Sequence, residues 1–106
     1  MVVKNFLRPI PRATNQEIFE PVWRAKGLTV ERIVSRGQAT PPGTWLSEKK
    51  DEWVMVLTGR ARLRFYGRRK FVEMKAGDYL LIPSGKRHRV EWTDKKKPTV
   101  WLAIYY

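Results

Sequence analysis

The residue with the widest chemical repertoire in this chain is its only histidine, His88. It follows a turn, Ser84-Gly85-Lys86, which itself follows the short apolar run Tyr79 to Ile82 and its terminator Pro83. Gly77-Asp78 opens that run with another tight turn, since Gly accepts positive φ and Asp hydrogen-bonds its own backbone. Beyond the turns, His88, Val90 and Trp92 share one face at the two-residue strand period, with Arg89 and Glu91 on the other. An imidazole titrates near pH ~6.5, so a histidine on an apolar face can shuttle protons. A hydrogen-bonded structural histidine is the plainer alternative.

The elements that must position His88 are short strands. Leu28 to Ser35 alternates, with Leu28, Val30 and then Arg32 on one face and Ile33 and Ser35 opposite. Arg36 to Gly43 is a loop, because Pro41-Pro42 and two glycines preclude regular structure. Thr44 to Ser47 reads as a short strand. Glu52 to Thr58 is apolar on both faces, as in a strand covered on both sides, and Glu52 shares its face with Val54 and Val56. Ala61, Leu63 and Phe65 alternate with Arg62 and Arg64, and a basic hairpin, Gly67 to Lys70, leads to the return strand Phe71 to Met74. The last strand, Thr99 to Tyr106, offers Trp101, Tyr105 and Tyr106 for contact with a second subunit. Eight or nine short strands with close turns and no amphipathic helix predict an all-β antiparallel sandwich or barrel. Residues 1–16 form an irregular, proline-interrupted arm, and residues 17–106 a single barrel domain. Pro21 argues against a helix in the stretch between Glu17 and Trp23.

Composition narrows the function. A chain of 106 residues supports one modest core, which 13 aromatics, five of them Trp, can fill. There is no cysteine, which excludes disulfides and thiolate metal sites. Lys4, Arg8 and Pro9 interrupt any apolar leader, so a cytoplasmic protein is expected. No stretch approaches the ~20 apolar residues of a membrane span. Twenty-two Lys and Arg against ten Asp and Glu give a net charge of +12, which attracts anions at long range. No recognised nucleic-acid motif accompanies the charge, and nucleic acid is not expected among the partners. Such a role would require the basic residues to converge on one side with exposed aromatics between them, for which Tyr66 and Tyr79 are the candidates.

The run Gly77, five residues, Pro83, one residue, Gly85, two residues, His88 resembles the second motif of the cupins. Glu52 and Gly59 match the second half of the first motif, while Trp45 and Ser47 stand where its two histidines would fall. Further stretches, among them Glu31 to Ser35, Pro41-Pro42-Gly43 and Trp101-Leu102-Ala103, are similar to a subgroup of small single-domain bacterial cupins. The resemblance implies a jelly-roll, or double-stranded β-helix, barrel and a homodimer. In metal-binding relatives it implies three His and one Glu around a divalent transition metal. Only Glu52 and His88 survive here as metal-ligand positions, fewer than the three side chains a catalytic metal normally has. Asp51 alternates away and Glu48 lies in an exposed turn.

The family positions therefore make His88 and Glu52 the candidate acid–base pair, and the metal ligands if a metal is bound. Trp45, Ser47, Val54, Val56, Val90 and Trp92 are expected to line an apolar pocket around them. The leading expectation is binding of a small metabolite, with an anion suggested by the net charge of +12. A metal-dependent enzyme is the second expectation, and a basic nucleic-acid-binding module the third.

Overall fold

The alternation written into the chain becomes eight antiparallel strands in a computed structural model that describes all 106 residues. They are β1 (Ile18–Ala25), β2 (Leu28–Ser35), β3 (Glu52–Thr58), β4 (Arg60–Phe65), β5 (Val72–Lys75), β6 (Tyr79–Ile82), β7 (His88–Thr93) and β8 (Thr99–Tyr105). There is no helix. The strands form a five-stranded sheet in the order β1-β2-β8-β3-β6 and a three-stranded sheet in the order β5-β4-β7. Pro21 is accommodated because β1 is an edge strand, and the register shifts between Pro21 and Trp23.

The inner faces of the two sheets meet in one core. Val54 and Val56 of β3, Ala61 and Leu63 of β4, Met74 of β5, Ile82 of β6 and Trp101 and Ala103 of β8 are all buried there. Gly59 joins β3 to β4 at a φ of 90°, and a Cβ at this position would stand 2.5 Å from the Thr99 Cα. Only glycine satisfies both the backbone conformation and that approach. The residues 1–16 contain no strand. The arm is tied to the large sheet through the Arg32 guanidinium, which donates to the Phe6 and Pro9 carbonyls at 3.1 and 3.0 Å.

The structure corrects three expectations. Thr44 to Ser47 is not a strand but a single bridge, at Leu46, to His88. In β7 the register against β4 shifts, so that Leu63 faces Val90 while Arg62 faces Trp92. One extra residue in β7 reverses the alternation: Thr93 becomes the buried residue and Trp92 turns outward. Third, β8 is a central strand between β2 and β3, with Trp101 buried, so neither can form an edge contact with another subunit.

The outer face of the large sheet is instead the apolar one. Register carries one row of side chains across all five strands: Trp23, Val30, Ile104, Trp53 and Leu81. The outer face of the small sheet is basic, with Arg60, Arg62 and Arg64 pointing away from the core residues Ala61 and Leu63.

Candidate functional site

Glu52 opens β3 opposite Ile82 and Tyr105, and His88 opens β7 opposite Phe65. Both side chains point inward, and the two residues retain 8% and 5% of their surface. The His88 Nε2 lies 3.9 Å from a Glu52 carboxylate oxygen, too far for a direct hydrogen bond but spanned by one intervening atom. His88 Nδ1 is 2.9 Å from the Lys86 carbonyl, which can only accept. Nδ1 is therefore the protonated nitrogen, and Nε2 faces Glu52 with its lone pair when the ring is neutral.

These two groups lie in a cavity of about 150 Å³ between the sheets. Its wall is mostly apolar, with Ile33, Val54, Leu63, Ile82, Val90 and Trp101 prominent, but it includes three carboxylates: Glu17, Glu48 and Glu52. No Lys or Arg lines it. On one side Trp101 Nε1 donates to the Ser35 hydroxyl at 3.0 Å, and that hydroxyl donates to Glu17. On another, Tyr105 reaches Glu31 at 3.5 Å.

Crowding carboxylates into an apolar space raises their proton affinity. Burial, and then the nearby charges of Glu48 and Glu31, push Glu52 from 4.5 to about 7. Burial also raises Glu17, against the opposing hydrogen bond from Ser35. Tyr105 is pushed up by burial and by Glu52, Glu31 and Glu48, so its phenol remains a neutral donor. Glu52 is thus poised to exchange a proton at neutral pH, beside an imidazole with a free nitrogen.

The loop before β3 determines what covers the cavity. Arg89, facing away from His88's side of β7, donates to the carbonyls of Thr40, Pro41 and Thr44 at 2.8, 2.9 and 3.1 Å. The Val90 amide adds a bond to the Thr40 hydroxyl at 3.0 Å. The anchored loop delivers Leu46 to His88, where paired backbone bonds of 2.7 and 2.9 Å lock the register. The turn Pro83 to Lys86 then fixes Glu48: the Gly85 amide donates to its carbonyl at 2.8 Å, and Asp51 accepts from the Ser84 amide at 2.8 Å.

Of the residues expected at the site, Glu52, His88, Val54 and Val90 line the cavity, and Trp45, Ser47, Val56 and Trp92 do not. Directly opposed residues in an antiparallel bridge share a face, so Leu46 opposite His88 points inward and its neighbours Trp45 and Ser47 point away. Trp45 instead packs edge-on against Tyr66, ring centres 5.2 Å apart. Val56 is wholly buried in the core, and Trp92 is turned out by the irregularity in β7.

Sequence reasoning missed Leu46 and Glu48, which the same alternation would have supplied had Leu46 set its phase. It also missed Glu17 and Phe19, in a stretch whose pattern Pro21 obscures. Trp101 and Tyr105, which the last strand offers for contact with a second subunit, line the cavity as well.

The donor set does not fit a resident metal. Only Glu52 and His88 occupy ligand positions, and no group of three or more His, Cys, Asp or Glu is arranged to hold an ion. A larger open groove of about 580 Å³ lies between the arm and β1. Lys4, Arg8 and Arg32 line it, and Arg32 is already paired with Glu20 at 2.7 Å and bonded to the arm.

The two sheets, the inward Glu and His and the turn before β7 define a small barrel protein with a pocket between its sheets. The Cupin domain profile matches residues 33–105, and the chain belongs to that family. A crystal structure from Ralstonia eutropha JMP134, provisionally called a mannose-6-phosphate isomerase, is similar at 45% identity and a TM-score of 0.93, covering 99% of this chain and 97% of that one. A Klebsiella pneumoniae protein described by its double-stranded β-helix domain shares the fold at 15% identity and a TM-score of 0.75, over 97% and 87% of the two chains. A cupin superfamily protein of Desulfitobacterium hafniense does so at 18% identity and a TM-score of 0.72, over 91% and 82%. No curated protein matches the chain.

Proposed function

We propose that this cupin binds a small uncharged or cationic molecule in its barrel cavity, with Glu52 and His88 as a proton-exchanging pair at the bound ligand. The observation that carries this reading is the buried 3.9 Å approach of Glu52 and His88 in a cavity walled by three carboxylates and no cation. An amine or a polyol would find acceptors there. An anion would meet uncompensated negative charge, so the anionic ligand suggested by the net charge of +12 is set aside. The name of the Ralstonia relative favours an isomerase as a second reading. Isomerising a sugar moves a proton between neighbouring carbons, work suited to an acid–base pair, but the phosphate would have to lie outside the cavity.

Calorimetry with panels of amines, polyols and sugar phosphates tests the proposal. Glu52 gains charge as pH rises through about 7, so an amine should bind more tightly at pH 8 than at pH 6, and a polyol should change little. Binding confined to sugar phosphates and insensitive to Glu52→Gln would refute it.

The protein is further proposed to act as a homodimer through the outer face of the large sheet. An apolar row crossing five strands, with Trp23 59% exposed at one end, is larger than scattered surface hydrophobes require. Light scattering should give a dimer mass at micromolar concentration, and Trp53→Lys should give a monomer. A monomeric wild type would end the proposal.

A further inference from the structure

The excess positive charge is not spread evenly. On the outer face of the small sheet, Arg62 and Arg64 of β4 lie beside the aromatics Trp92 and Trp45, and the β6–β7 turn adds Arg87 beside Tyr66. The Arg62 guanidinium carbon is 4.8 Å from the Trp92 ring centre, Arg64 is 5.1 Å from Trp45, and Arg87 is 3.5 Å from Tyr66. Trp45 and Tyr66 touch edge to face, which joins the second and third stacks, and the first lies beside them on the same face of β4, since Arg62 and Arg64 are two residues apart. Only two carboxylates enter it. Glu73 pairs with Arg60 and Arg62, and Glu91 with Arg64 and Arg89. Arg87 and the adjoining hairpin residues Arg68, Arg69 and Lys70 have no ion-pair partner.

We infer that this face binds single-stranded nucleic acid without sequence preference. Alternating guanidinium and aromatic planes offer phosphates a charge and bases a stacking surface, the combination that single strands need. Bases also stack on arginine planes, so existing Arg–aromatic stacks do not close the site. Tyr66 is 48% exposed and already aligned by Arg87. The six residues of β4 run for roughly 20 Å, enough for a few nucleotides. Nothing here suits a duplex groove, because the face is a shallow sheet with no projecting helix or ribbon. Tyr79, the other aromatic considered from the sequence, lies on the opposite sheet against Trp53 and takes no part.

Fluorescence anisotropy with a labelled 12-nucleotide single strand of DNA or RNA provides the test. Binding should be micromolar at low salt and should weaken with added salt, with a log–log slope of about 0.7 per phosphate engaged. Tyr66→Ala should weaken it roughly ten-fold without changing that slope, whereas Arg87→Ala should reduce the slope by close to one such increment. Glu52→Gln should leave it unchanged, since the cavity lies on the other side of the sheet. If Tyr66→Ala does not fold, Arg87→Ala decides through the slope alone. Equal affinity for duplex of the same length would overturn the inference. So would equal affinity for anionic phosphatidylserine vesicles, or an unaltered affinity and slope in both variants.

Discussion

Successive residues of β7 meet opposite electrostatic surroundings. His88 points into a cavity that holds three of the ten acidic residues and none of the 22 basic ones. Arg89 and its neighbour Arg87 belong to the other side of the same sheet, where guanidinium groups stack on Trp45 and Tyr66. A single step along the strand thus separates an acidic interior from a basic exterior. The net charge of +12 therefore describes the outside of the barrel and misdescribes the site. A ligand attracted to the surface by long-range charge is not the kind the cavity would hold.

The largest expected effect comes from the residue that connects the two regions. Arg89 is buried, pairs with Glu91 at 2.9 Å and bonds three carbonyls of the loop that carries Leu46. Arg89→Ala would leave those carbonyls without their donor and Glu91 with Arg64 as its one remaining partner, at a cost of about 4 kcal/mol in urea unfolding. Arg89→Lys, which keeps the charge but loses the fork, should recover less than half. A loss below ~1 kcal/mol in Arg89→Ala would mean that the loop is held by other contacts and that the outer face does not support the cavity.

A somewhat smaller effect should isolate the acidic interior. Glu52 holds its proton more tightly folded than unfolded, with a pKa of about 7 against 4.5. Its contribution to stability is therefore complete below pH 4.5 and is lost as pH rises through about 7. That shift corresponds to roughly 3 kcal/mol over the window. Glu17 is raised too and contributes with the same sign. Denaturant unfolding across the range should show wild-type stability falling with pH relative to Glu52→Gln. Parallel curves would show that the interior carboxylates are solvated and that the contrast between the two faces is weaker than the geometry suggests.

How much of this was legible in the sequence depended on what set the phase of each strand. In β4 the alternation of Arg62 and Arg64 with Ala61 and Leu63 was unbroken, and both its buried and its basic faces were readable. In β7 the pattern was readable up to Val90 but not at Trp92, because a single inserted residue leaves no local mark when both neighbours are amphipathic. Trp45 was misplaced for a different reason. Its family position suggested an inward side chain, whereas the backbone bridge between Leu46 and His88 turns it outward. Glu17 was hidden because its role depends on a contact with Ser35 of β2, which no local period encodes, and Glu48 because the bridge from Leu46 to His88 sets the phase of its stretch. The same limit concealed the basic face: its arginines were visible, but their convergence with Trp45 and Tyr66 is a tertiary fact.

The smallest effect on stability should come at the residue that closes the cavity. Leu46 is partly exposed and is held mainly by its backbone bonds to His88, which a side-chain change leaves intact. Leu46→Ala should therefore cost less than ~1 kcal/mol of folding stability. Its side chain nevertheless covers one side of the space above Glu52 and His88, and truncating it admits water to both. Water restores solvation to the Glu52 carboxylate, so the pKa should fall from about 7 toward 4.5 and the pH-dependent loss of stability should shrink with it. Nucleic-acid affinity, which depends on the opposite face, should not move. NMR titration of the Glu52 carboxyl carbon in the two proteins would measure this directly. An unchanged Glu52 titration in Leu46→Ala would show that the interior is screened by something other than the loop that Arg89 holds.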